Sequence, residues 1–82
     1  MRLRAIFATN LKALRKAQKL SLEELAHRAG IDRNYPGNLE QQVNSPTLDM
    51  VEQIANALGV HHARLLDEEE ARRVASQPTS DS

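Results

Sequence analysis

Histidine, hydroxyl and carboxylate side chains are the groups through which this chain could make or break bonds, and their spacing argues against it. The three histidines are His27, His61 and His62. His61 and His62 are adjacent, and neighbours in a helix do not share a face, so they cannot clamp one ion as an i, i+4 pair does. No cysteine is present to complete a metal sphere, which also excludes disulfides and thiolate nucleophiles. Ser21 has no histidine and acid arranged around it in sequence, and no glycine-rich phosphate loop occurs. The expectation is a protein that is not an enzyme, with no metal, no cofactor and no small-molecule substrate.

The basic side chains remain, and their chemistry is ionic. Lys and Arg together number 11, as do Asp and Glu, for a formal net charge of zero. The distribution is uneven. Residues 1–40 hold eight bases and four acids, whereas residues 41–82 hold three bases and seven acids. A basic half and an acidic half allow one face to meet phosphate while the other turns away. Lys12, Lys16 and Lys19 fall on one side of the first helical segment. They read either as a solvated cationic face or as a phosphate-facing edge.

The elements that must position these residues follow from capping and periodicity. Leu3, Phe7, Leu11 and Leu14 recur at helical spacing, without Gly or Pro, up to about Lys19. Ser21 and Glu24 form a capping-box pattern ahead of Leu22, Leu25, Ala26 and Ala29, whose spacing is that of an amphipathic helix. Gly30 can end that helix at positive φ, Ile31 can drop into the core, and Asp32 can cap the next helix. Two helices joined by so tight a turn cross steeply, which is helix-turn-helix geometry. Ser45 or Thr47 can cap a fourth helix around Pro46. That helix brings Leu48, Val51, Ile54, Ala55 and Leu58 onto one face before Gly59, after which Val60 packs back. A fifth short helix is expected over HHARLLDEEEARR, and if Leu65, Leu66 and the following Val74 face a partner, that helix is the natural dimer interface.

At 82 residues the chain is one small domain, burying about two-thirds of its unfolded surface. The domain is expected over residues 1–70, with a flexible C-terminal tail over 71–82. No apolar run approaches the roughly 20 residues that span a bilayer, and MRLRAIF lacks a signal-peptide core. The expectation is an all-α, compact five-helix orthogonal bundle, cytoplasmic and with no membrane partner.

With these residues placed, the chain resembles the Cro/C1-type helix-turn-helix family, the phage-repressor-like module also called the XRE family. The resemblance covers roughly residues 7–66. It rests on LKALRKAQKLSLEELAHRAGI, on NLE at the end of the third helix, on NSPTLDMVEQIANALGV and on ARLL, in that order and spacing. It implies a regulator, repressor or autoregulator, that binds double-stranded DNA sequence-specifically as a homodimer. It also implies a pair between Arg15 and Glu40 that locks the recognition helix against the first helix, either as a plain structural ion pair or with the guanidinium presented to a phosphate. Phosphate contacts are expected from Arg15, Lys16, Lys19 and Arg28. Base reading is expected from Arg33, Asn34 and Asn38 on the helix near 33–41, arginine suiting guanine and asparagine suiting adenine.

Four departures bear on that reading. Leu22 stands where a polar phosphate contact is usual. Pro36 falls at about the fourth position of the recognition helix, where a missing N–H and a ring clash cost about 3 kcal/mol in an interior and less in a first turn. Gly37 adds roughly 1 kcal/mol of helix penalty. Gln42 replaces the usual glycine after that helix. The recognition helix is therefore expected to be kinked, loosened or started late. The alternative function is a protein-interaction module, such as an antitoxin or regulatory adaptor, with weakened DNA binding.

Overall fold

Helix α1 runs Leu3–Ala17 and buries Ile6, Phe7, Ala8, Asn10 and Leu11. The computed structural model describes residues 1–76. Leu3 opens the apolar stripe of α1 but stays 60% exposed, because no element packs over that end of the helix deeply enough to cover it. Helix α2, Leu22–Ala29, carries the expected capping box. Glu24 N–H donates to Ser21 Oγ at 3.0 Å and Ser21 N–H donates to Glu24 Oε1 at 2.8 Å, satisfying two of the amides a helix start leaves open. Gly30, at φ 70°, ends it, with Gly30 N–H donating to His27 O and Ile31 N–H to Ala26 O.

Helix α3 spans Tyr35–Glu40 and α4 spans Leu48–Leu58. Thr47 rather than Ser45 caps α4, its Oγ1 accepting from Met50 N–H at 3.0 Å. Val51, Ile54, Ala55 and Leu58 line the buried face, and Gly59 at φ 69° closes the helix so that Val60 folds back onto the core. Leu48, counted with that face in the sequence pattern, is 84% exposed, since it is the first residue of the helix and lies beyond its neighbours.

The expected fifth helix is two elements. A 3-10 turn covers His62–Leu66 and α5 covers Glu68–Ser76, with Asp67 extended between them. Asn10 braces this break. Its buried Nδ2 donates to Leu65 O at 3.2 Å and to Asp67 O at 3.0 Å, the latter carbonyl also accepting from Ala71 N–H in the first turn of α5. Asp67 Oδ1 then accepts from Glu70 N–H at 3.0 Å and restarts the helix. Leu65 is fully buried in the core, so it offers no partner surface, whereas Leu66 and Val74 are half-buried. Ala71 is also fully buried, so the boundary expected at residue 70 falls inside α5, and folded structure continues to Ser76. The remainder of the expected tail, residues 77–82, lies outside the described residues.

The described residues contain helices and no strand, and the core is aliphatic around Phe7, Leu11, Leu25, Leu39, Ile54 and Leu65. This is the all-α bundle read from the sequence. No helix among these residues is long and apolar enough to cross a membrane.

Candidate nucleic-acid interface

The turn between α2 and α3 is built by one aspartate. Asp32 Oδ2 accepts from Asn34 N–H at 3.0 Å and Asp32 O accepts from Tyr35 N–H at 3.0 Å. This is an Asx turn rather than the expected helix cap. Asn34 occupies the cap position instead, without a side-chain cap bond, and α3 begins one residue later. The late start accommodates Pro36. In the first turn of a helix an amide has no intrahelical partner, so the N–H that proline lacks leaves no bond unmade. The ring is buried, and with Leu39 it anchors α3 to the core.

Arg33 and Asn34 therefore lie in the turn ahead of α3, not on the helix, and both are exposed. Asn38 is half-buried one turn further on. Gln41, at the C-terminal end of α3, continues the same face at a spacing of three and is exposed. Sequence reasoning missed it, although the i, i+4, i+7 spacing of Asn34, Asn38 and Gln41 pointed there. Gly37 leaves this face low. A Cβ there would meet only Leu22 Cδ1, at 3.6 Å.

The C-terminus of α3 is held twice. Gln42 takes φ 62° in place of the usual glycine, and Val43 N–H donates to Asn38 O at 2.8 Å, so the left-handed ending survives with a strained residue. Arg15 then clasps the end of the helix. Its Nε donates to Glu40 Oε2 at 2.7 Å and its Nη2 to Glu40 Oε1 at 3.1 Å, while Nη1 donates to Leu20 O at 2.8 Å. The side chains are only 11% and 7% exposed. Both edges of the guanidinium are thus committed inside the protein. The geometry favours a structural strut over a phosphate contact for Arg15.

Lys16, Lys19 and Arg28 are exposed. Lys19 closes α1 in the left-handed region at φ 58°, with Leu20 N–H donating to Arg15 O. At the start of α2 the field is acidic. The Glu24 carboxyl is held below the usual value of 4.5 chiefly by the Ser21 backbone N–H and the Ser21 hydroxyl, with Arg28 a lesser contributor. Arg33 Nη2 lies 4.0 Å from Glu23 Oε2, both side chains being 73% exposed.

No group of three metal-ligating side chains occurs among the described residues. The His61 and His62 rings stack with centroids 4.2 Å apart, and His61 Nδ1 accepts from Ala63 N–H at 3.1 Å, which gives that nitrogen a capping role.

A profile of the family described as Helix-turn-helix, HTH_3, matches residues 11–65. The chain belongs to this family. Its members named among the relatives are regulators. An HTH-type transcriptional regulator, y4dJ, of Sinorhizobium fredii is 33% identical over 66 residues, covering 80% of this chain and 86% of the relative. The immunity repressor protein of Bacillus phage phi105 is 36% identical over 59 residues, and the match covers 72% of this chain but only 41% of the repressor. Among solved structures, the hypothetical transcription factor NHTF from Neisseria superposes with a TM-score of 0.80 at 35% identity, covering 88% of this chain and 85% of that one. The restriction-modification controller protein C.AhdI from Aeromonas hydrophila gives 0.73 at 34% identity, covering 76% and 94%. Within the HTH_3 match, α2, the Asx turn and α3 form the helix-turn-helix.

Proposed function

We propose that this helix-turn-helix regulator of transcription binds double-stranded DNA sequence-specifically, with the segment from Arg33 to Gln41 in the major groove. The observation that carries the reading is the run of exposed Arg33, Asn34 and Gln41 with half-buried Asn38, on a segment whose other side is fixed by Pro36, Leu39 and the Arg15–Glu40 clasp. Arginine can bridge guanine O6 and N7, and the amide side chains can pair with adenine. Lys16, Lys19 and Arg28 supply phosphate contacts, and Arg15 acts as a strut. The relatives named repressor and controller protein support a regulatory role. The reading extends to repression or autoregulation by a cytoplasmic homodimer on inverted half-sites.

The antitoxin or adaptor reading leaned on Pro36 and Gly37. Pro36 in the first turn and the unstrained helical backbone at Gly37, packed beside Leu22, remove most of its support. Binding to duplex DNA as a function of salt tests the proposal. Lys16→Ala or Lys19→Ala should weaken all sequences and lower the slope of log K against log salt by about one unit for each phosphate no longer neutralised. Arg33→Ala should lose discrimination at one base pair, about 1–3 kcal/mol. Unchanged sequence preference in Arg33→Ala would remove Arg33 from the reading face.

A further inference from the structure

We infer that Glu23 is a specificity-positioning residue, aiming the Arg33 guanidinium at one base while lowering affinity for DNA of any sequence. The inference rests on the proposed DNA reading.

Arg33 has a fixed backbone and a free-swinging side chain. The Asx turn at Asp32 holds the chain on either side of it. The side chain is 73% exposed, and ordering so long a side chain costs rotamer entropy. A bidentate contact to guanine must order that side chain, so any group that preorders it sharpens the contact. Glu23 is placed to do so, its Oε2 lying 4.0 Å from Arg33 Nη2 across the turn. Guanidinium presents five N–H donors in a planar fork, and guanine occupies two of them. A carboxylate on another edge can therefore stay engaged while the base is read.

The capping work at the start of α2 belongs to its neighbour. Glu24 closes the box with Ser21, and Glu23 takes no part in it. A carboxylate in the first turn of a helix also gains from the helix dipole, which is the purely structural account of the residue. The two accounts separate because an acid beside a base-reading arginine also repels the phosphate backbone. Positioning predicts a trade between affinity and discrimination. A dipole role predicts only a small change in stability.

The experiment measures Kd of the 82-residue wild type, Glu23→Gln, Glu23→Asp, Arg33→Ala and Glu23→Gln/Arg33→Ala. The probes are the preferred duplex, the same duplex altered at the base pair Arg33 reads, and an unrelated duplex, with thermal unfolding alongside. Glu23→Gln should bind all three duplexes more tightly, yet discriminate at the Arg33 base pair about two- to fivefold less, the size an exposed pair supports. Glu23→Asp keeps the charge but shortens the reach, so it should lose discrimination without the general gain. Discrimination in the double variant should equal that of Arg33→Ala alone. Unchanged discrimination in Glu23→Gln, or an equal loss of discrimination in the Arg33→Ala background, overturns the inference. A wild type with no base preference, or an Arg33→Ala that keeps it, would instead overturn the DNA reading beneath it.

Discussion

Replacing Arg15 by methionine keeps the aliphatic stem and deletes the guanidinium that ties α1 to the end of α3. Three hydrogen bonds go with it, two to Glu40 and one to Leu20 O. The larger effect is what stays behind, a Glu40 carboxylate that is 7% exposed and no longer paired. Exposed pairs are worth about 0.2–1 kcal/mol, whereas breaking a buried one costs about 3–5 kcal/mol. At 11% and 7% exposure this pair lies toward the buried end, and a loss of about 3 kcal/mol is expected. A domain of this length has a total stability of about 4–12 kcal/mol, so the loss is a large share of it. Urea unfolding followed by circular dichroism should show the midpoint falling by about 3 M at an m-value near 1 kcal/mol/M. Arg15→Met/Glu40→Leu, which removes both charges, should recover most of the stability, because a buried pair contributes little over an apolar contact. A loss below about 1 kcal/mol in Arg15→Met would show that water screens the pair and that the strut is not one.

Other outcomes follow from the same residues. Gly37→Ala should stabilise the protein by about 0.5–1 kcal/mol in thermal unfolding, because alanine suits a helix better and its Cβ meets only Leu22 Cδ1 at ordinary contact distance; a drop in midpoint would mean that α3 cannot shift to take the methyl. Gln42→Gly should also stabilise, by up to about 1 kcal/mol, by relieving φ 62°, while Gln41→Gly, at φ −90°, should destabilise. Glu24 and Glu68 both titrate below 4.5, Glu24 through the Ser21 hydrogen bonds and Glu68 through Arg72 first and the Met1 ammonium next. Because folding depresses both, their stabilisation is complete above the unfolded value and is lost as pH falls through the folded values. Carboxyl carbon shifts in an acid titration should place Glu24 below 4.5, and Ser21→Ala, which removes the hydroxyl but keeps the backbone N–H, should move it only part of the way up; a midpoint insensitive to Ser21→Ala would remove the hydroxyl from the causes.

The elements whose ends are set locally were legible in the sequence. Ser21 with Glu24, Gly30, Thr47 and Gly59 each act within a few residues of themselves, and the structure uses each for the end it marks. Less legible was whatever depends on distant partners. The run LLDEEEARR reads as one helix, yet Asp67 caps a new start within it, and the break is braced from afar by Asn10 on α1. Periodicity also could not tell that Leu3 and Leu48, though in phase with buried neighbours, sit at helix ends that nothing covers. In the candidate site, Pro36 foretold a late start of α3, but not that Asp32 would build a turn and leave Arg33 and Asn34 ahead of the helix.

Selection of bound duplexes from a fully randomised pool, run in parallel on the wild type and Arg33→Ala at the same salt concentration, tests the central claim most directly. The wild type should enrich two inverted half-sites, and Arg33→Ala should lose base preference at one symmetric position in each while the remaining positions persist. Enrichment of no sequence by the wild type, or an identical motif from both proteins, would contradict the account.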